Sequence, residues 1–233
     1  MAEIQYLFFD LGNVILPFDH ALAAARIADA INASPSSVIE WIFDSGLQQA
    51  FECGEVNQQV FCERFSKMSD SNLDHDFLIH TISDIFSLNR ELIPLIAQLR
   101  TVNFSIGILS NTCIAHWEFA LARFPILNEL FSDFILSFKI GSMKPDALIY
   151  EKALAIAAVE PSKCLFVDDR LENVEGARAL GWEAVQYQSV RKLASDLDAV
   201  ELNSIFKRAA TCNFLMQSCT EFYSLMSRSS FSI

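Results

Sequence analysis

Four short stretches place polar or charged side chains at or just past the ends of apolar runs: Asp10 in FFDLGN, Ser110 with Asn111 in ILSNT, Lys144 in GSMKPD, and Asp168 with Asp169 in FVDDRLEN. Taken singly, each has an ordinary structural explanation. An aspartate after a strand serves equally well as a turn cap, Ser and Asn are turn and cap formers, and a lone lysine is generally a solvated surface residue. The adjacent aspartates are more informative, because two neighbouring carboxylates at the end of an apolar run repel each other unless a cation is present. Brought into one crevice, the set could hold a cation and, across it, a small anion.

The elements that would bring them together are legible as strands. Runs rich in β-branched and aromatic residues occupy 4–10, 104–110, 132–138, 163–169 and 182–187, the composition expected of short buried strands. Between the later runs lie helical patterns. RELIPLIAQLR sets Leu92, Leu95, Ile96 and Leu99 on one face, and DALIYEKALAIAAV is apolar on one side. ENVEGARAL stops at Gly181, a residue suited to the left-handed position that ends a helix. Alternating strands and helices predict an α/β fold with a doubly wound parallel sheet, in which the four stretches point the same way.

One interval is too long. The first strand ends near Asp10 and the second begins near Phe104, whereas a crossover between parallel strands needs only about 10 to 12 residues. ALAAARIADAIN, SSVIEWIF, NQQVFCERFSKM and HDFLIHTISDIF within it all read as amphipathic helices. The expected organisation is a core of residues 1–15 and 90–200, a helical insertion over 16–89, and a C-terminal extension over 201–233. The last is Ser-rich with scattered Phe and Met, readable as a packed helix, a dimer contact or a frayed end. An insertion beside the carboxyl end of a parallel strand falls where α/β proteins bind ligands, so it reads as a lid rather than as extra core.

Composition narrows the partners. The formal charge of −12 repels phosphate backbones, which argues against generic nucleic-acid binding. No apolar run approaches the roughly 20 residues of a membrane span. The opening MAEIQYLFFD lacks a basic start and a small-residue cleavage site, which points to the cytosol. The six cysteines show neither CxxC spacing nor a paired His motif, so reduced, packed thiols are expected rather than zinc ligands or disulfides. Small anionic substrates remain open where a cation bridges them.

In this order and strand context the four motifs resemble those of the haloacid dehalogenase (HAD) superfamily, over roughly residues 4–190. The inserted helices are similar to that superfamily's C1 cap. FDLGNVI, QAFECGEV, LSNT, MKPDALIYEKAL and VDDRLENVEGARALG look like the subgroup that includes a bacterial α-glucose-1-phosphate phosphatase. The resemblance implies a Rossmann-like core and a Mg²⁺-dependent phosphatase acting on a small phosphomonoester, a sugar 1-phosphate among the candidates, so that the expected partner is a small phosphorylated metabolite, taken by a monomer or homodimer. Asp10 is then the covalent nucleophile, splitting hydrolysis into two displacements through an aspartyl phosphate. A hard cation must bridge carboxylate and phosphate, with Asp10, the Gly12 carbonyl and Asp169 as expected ligands and Asp168 supporting them. Ser110 and the Asn111 backbone N–H would bond the phosphoryl oxygens, Lys144 would offset their charge, and Asn173 would orient the paired aspartates. Glu52 is expected near the substrate. Trp41, Phe43 and Phe51 could face the crevice, although aromatics so spaced more often build a core.

Phosphatases of this superfamily usually carry a second aspartate two residues after the nucleophile, to protonate the leaving oxygen and then activate water. Here that position is Gly12. Losing a general acid typically costs about 10²- to 10⁴-fold, or roughly 3 to 5 kcal/mol of barrier. Three resolutions are open: a substrate with an easy leaving group, such as the anomeric oxygen of a sugar 1-phosphate; another group, such as Asp19 or Glu52, acting through water; or a phosphate-binding, regulatory protein that turns over poorly. Dehalogenase and phosphomutase readings rank lower. Dehalogenation needs no metal and gives no reason to keep Asp168 and Asp169 beside Asp10.

Overall fold

The computed structural model describes residues 3–199; the expectations for 201–233 lie outside the described residues. The sheet is formed by β1 (Tyr6–Phe9), β2 (Ser105–Ser110), β3 (Asp133–Leu136), β4 (Cys164–Asp168) and β5 (Glu183–Gln186), all parallel, in the order β3-β2-β1-β4-β5. Each lies inside its predicted run, trimmed by a residue or two at both ends except for β2, which loses only its first residue. Every residue of β1 and β4 is buried, as expected where helices cover both faces of a parallel sheet.

The two-residue alternation of a strand divides these side chains between two cores. Leu7 and Phe9 of β1, Ile106 and Ile108 of β2, and Leu165 and Val167 of β4 pack on one side. They meet α6 (Ile93–Thr101), α7 (Ile114–Arg123), α8 (Ile126–Leu130) and α12 (Val190–Ala199), helices labelled in chain order. Tyr6, Phe8, Cys164 and Phe166 face the other way, toward α10 (Ala147–Ala157) and α11 (Leu171–Ala179). Full burial of an aromatic such as Phe8 or Phe9 contributes about 2 to 3 kcal/mol. Helix α11 ends as expected, with Gly181 at φ +83° just beyond it.

The connection from β1 to β2 holds α1 (His20–Ile31), α2 (Pro35–Ile39) running into a π-helical turn at Glu40–Asp44, α3 (Leu47–Glu52), α4 (Gln58–Ser69) and α5 (His75–Ser83). These helices have their own core around Ile27, Val38, Phe51, Phe61, Phe65 and Leu78. The two chain segments entering and leaving them run antiparallel: Asp19 N–H donates to Ile85 O at 3.2 Å, Ser87 N–H to Pro17 O at 2.8 Å, and Asn89 N–H to Ile15 O at 2.9 Å. A second attachment lies opposite. The Ser137 hydroxyl, at the start of α9 (Ser137–Ile140), donates to Glu52 O at 2.6 Å and accepts from Thr112 N–H at 2.8 Å. Gly54 then passes the core so closely that a Cβ would lie 2.5 Å from Phe138 O. No described helix is long and apolar enough to cross a membrane.

Candidate active site

Because β1 sits between β2 and β4, the residues following these strands open into one crevice at the point where the strand order reverses, where α/β folds place ligands. Lys144 organises it. Its buried ammonium lies 2.8 Å from Asp10 Oδ1 and 2.7 Å from Asp168 Oδ2, and donates to Leu109 O at 2.9 Å. All three donors are thus used, which a buried ammonium requires. Its backbone is fixed by Asn111: the Lys144 N–H donates to Asn111 Oδ1 at 2.7 Å, and Asn111 Nδ2 donates to Lys144 O at 2.9 Å. Burial works against the charged lysine, but Asp10 and Asp168 outweigh it and hold the ammonium above the ordinary lysine range.

The carboxylates are held as firmly. Asp10 accepts the Leu11 N–H at 2.7 Å, and its own N–H donates to Val167 O at 2.8 Å, which fixes it at the end of β1. Asp168 is wholly buried, accepting Arg170 N–H at 2.8 Å and Asn173 Nδ2 at 3.0 and 3.1 Å on its two oxygens. Asp169 accepts Asn13 Nδ2 at 3.1 Å. One oxygen from each of Asp10, Asp168 and Asp169 lies within 4.8 Å of the others. Burial pushes the Asp10 carboxyl up to about 7, with Asp168 and Asp169 adding to the rise and Lys144 opposing it. Burial likewise raises Asp169, reinforced by Asp168. Three carboxylates against one ammonium leave excess negative charge among hard oxygen donors, the chemistry that suits a divalent cation such as Mg²⁺. Asn173 Oδ1, buried without a partner, supplies a further oxygen free to accept a hydrogen bond there. The residues fit the ion.

A cavity of about 170 Å³ opens on this cluster, lined by Asp10, Gly12, Ser110, Asn111, Lys144 and Asp169 from the core and by Phe18, His20, Glu52 and Phe86 from the insertion and its linkers. A second cavity of about 450 Å³ adjoins it, adding Phe43, Gln48, Gln49, Asp146 and Glu172. Ser110 ends β2, and Asn111 leads from it toward the N-terminus of α7, a position whose backbone N–H and helix dipole favour an anion. The Gly12 carbonyl already accepts Val14 N–H at 2.7 Å, which leaves one lone pair. Asp19 instead caps α1, accepting Ala21 N–H at 2.9 Å. Of the three aromatics, Phe43 lines the outer cavity, Phe51 is buried in the insertion's core, and Trp41 packs edge-on against Phe65.

Several residues at the site carried no sequence signal that singled them out. His20 stands between the rings of Phe18 and Phe43, with centroids 4.6 and 4.4 Å away, and burial lowers its pKa. His116 on α7 is buried, with Nε2 3.1 Å from Ile82 O, and burial lowers it to about 4. Asn13, at φ +54°, reaches Asp169; a turn-forming Asn just after Asp10 is the signal that could have found it. Phe18 fills the space into which a side chain at position 12 would project: a Cβ on Gly12 would lie 2.9 Å from its ring.

The chain belongs to the haloacid dehalogenase-like hydrolase family, whose model matches residues 4–181. It is 25% identical over 208 residues to the D-ribitol-5-phosphate phosphatase of Bacteroides thetaiotaomicron, covering 86% of this chain and 100% of that protein. It is 31% identical over 188 residues to a phosphatase of Mycobacterium tuberculosis, covering 78% of this chain and 86% of that one. It also matches mouse acyl-CoA dehydrogenase family member 10 at 24% identity over 204 residues, 83% of this chain but only 19% of that protein's length. Among solved structures, a HAD family enzyme of B. thetaiotaomicron in complex with magnesium and inorganic phosphate superposes with a TM-score of 0.73 at 20% identity, covering 80% of this chain and 96% of that one. That likeness establishes the shared fold.

Proposed function

We propose that this hydrolase is a Mg²⁺-dependent phosphatase that cleaves a small phosphomonoester through an aspartyl phosphate on Asp10. The observation that carries the reading is the convergence of Asp10, Asp168 and Asp169 around the Lys144 ammonium at the floor of a cavity of about 170 Å³. Bound between the carboxylates, Mg²⁺ would neutralise the repulsion between an aspartate and a phosphate dianion. Asp10, the Gly12 carbonyl and Asp169 would hold it, with Asp168 behind them. Asp10 attacks phosphorus through the carboxylate oxygen not held by Lys144. Ser110 Oγ and the Asn111 backbone N–H receive the equatorial phosphoryl oxygens, where preorganised donors stabilise the charge of the transition state. Water then cleaves the acyl phosphate and regenerates Asp10. The helices between β1 and β2 act as a C1-type cap whose linkers and α3 close the cavity and exclude water. The relatives named above as phosphatases support the reaction class, and the polar outer cavity suits a sugar- or polyol-sized leaving group, a sugar 1-phosphate included.

The test is phosphate release from a panel of sugar phosphates, polyol phosphates, nucleotides and an aryl phosphate, with Mg²⁺ and again with EDTA. Metal-dependent release that is lost in Asp10→Asn is expected; full activity of that variant overturns the nucleophile assignment. Gly12, with Phe18 in the space beside it, favours a second reading, a phosphate-binding protein with little turnover. Beryllium fluoride binding without phosphate release from any ester would select it.

A further inference from the structure

For a phosphomonoester bound as proposed, the scissile bond falls where the two cavities meet. The inner one contains Asp10, so it receives the phosphoryl group, and the outer one has the volume for the leaving group. The bridging oxygen must therefore sit where they join, among the residues that line both: His20, Glu52, Asn111, Met143, Lys144 and Arg170. That oxygen needs a proton as the P–O bond breaks, and Gly12 supplies none.

Most of these residues are disqualified by chemistry. Met143 and the Asn111 amide carry no transferable proton, and an arginine does not give one up. The Lys144 donors are committed to Asp10, Asp168 and Leu109 O. His20 is enclosed by aromatic rings and held toward its neutral form by burial, so it has no acidic proton to offer. Glu52 remains. Its sole side-chain hydrogen bond among the described residues comes from Gln48 Nε2 to Oε1 at 2.8 Å, which leaves Oε2 uncommitted. Its backbone is anchored to the core through Ser137 at 2.6 Å, so the carboxyl is placed by the core although it belongs to the inserted helices.

We infer that Glu52 replaces the absent acid at position 12: its Oε2–H protonates the leaving oxygen in the first step, and the resulting carboxylate accepts a proton from the attacking water in the second. This deepens the phosphatase reading and rests on it. In the first step the Asp10 Oδ–P bond forms, the P–O bond to the alcohol breaks, and the Glu52 proton leaves with the alcohol. In the second, water oxygen bonds to phosphorus, the Asp10–P bond breaks, and Glu52 regains its proton, so the sum is ester plus water giving alcohol plus phosphate. Burial raises the Glu52 carboxyl to about 7, against the Gln48 hydrogen bond and the charges of Arg170 and Lys144. The proton is therefore present near neutrality yet can be released.

The test compares a glycerol phosphate, whose alkoxide needs protonation, with 4-nitrophenyl phosphate, whose leaving group does not, using wild type, Glu52→Gln, Glu52→Asp and His20→Asn with Mg²⁺. Expected is a loss of about 10²- to 10⁴-fold in kcat/KM for the alkyl ester in Glu52→Gln, less than about tenfold for the aryl ester, and partial recovery in Glu52→Asp. Equal losses on both esters, or an alkyl-selective loss in His20→Asn instead, overturn the inference while leaving the phosphatase reading intact. A wild type that releases phosphate from neither ester overturns both. A thermal melting transition like that of wild type shows that Glu52→Gln is folded.

Discussion

Ser137 Oγ lies 2.6 Å from the carbonyl oxygen of Glu52, joining the first residue of a core helix to the last residue of an inserted one across 85 positions of chain. The same hydroxyl accepts Thr112 N–H at 2.8 Å and is fully buried. Ser137→Ala leaves both backbone groups without this partner, and a buried unsatisfied group costs about 1 to 3 kcal/mol. A loss of about 2 kcal/mol in urea denaturation is expected, with alkyl phosphate turnover falling more than aryl. Unchanged stability would show that the bond is not holding the two units together.

Gly12 and Phe18 compete for one volume. With the Phe18 ring 2.9 Å from the position of a Cβ, Gly12→Asp is expected to destabilise the protein by about 1 to 3 kcal/mol as an overpacked site. It should bring little gain in alkyl phosphate turnover. Combined with Phe18→Ala, which vacates the space, the same substitution should raise turnover at least about tenfold over the Phe18→Ala background, since neighbouring sites are not additive. Melting curves and kcat/KM for the four combinations decide it; additive effects would mean the ring is no obstacle.

Lys144 is the counter-ion of two buried carboxylates. Lys144→Met exposes Asp10 and Asp168 to each other without compensation, a change that typically costs about 3 to 5 kcal/mol. Adding Asp168→Asn removes one of the stranded charges, so the double variant should be more stable than Lys144→Met alone. Chemical denaturation in EDTA tests this ordering, and the reverse order would contradict the charge argument.

His116 links stability to pH. In the unfolded chain its imidazole has an ordinary pKa near 6.5, whereas burial lowers it to about 4 in the folded protein. Below pH 6.5 the unfolded state binds a proton that the folded state refuses, so stability falls as pH drops from about 6.5 to about 4. At pH 5 this amounts to about 2 kcal/mol relative to pH 7. Wild type should therefore lose about 2 kcal/mol more than His116→Gln between these pH values, measured by urea unfolding. Parallel losses would show that His116 is not the group responsible.

The fold was legible because its signals are local. Each strand sits inside a short β-branched or aromatic run, and the left-handed Gly181 marks the end of α11. No helix is expected from the sequence at α3 or α7: α3 is only six residues long, and α7 follows directly on the polar ILSNT stretch. Asp10, Ser110, Asn111, Lys144 and Asp169 reach one cavity, because parallel strands direct their carboxyl ends to the same edge. The contact of Phe18 with Gly12 and the approach of His20 and His116 depend on the path of the linkers across the core. No periodicity or spacing encodes that path.

The paired linkers at Pro17–Asp19 and Ile85–Ser87 and the Ser137–Glu52 bond attach the inserted helices at separate places. Any swing of those helices about the linkers wide enough to admit a solute must sever the Ser137–Glu52 bond, and it carries the Glu52 carboxyl away from the ester oxygen. With Glu52 as the proposed acid, such a swing would make admission and proton delivery mutually exclusive in time. An acyl phosphate formed on Asp10 would meet solvent only after its proton acceptor had withdrawn, so premature opening slows its hydrolysis rather than hastening it.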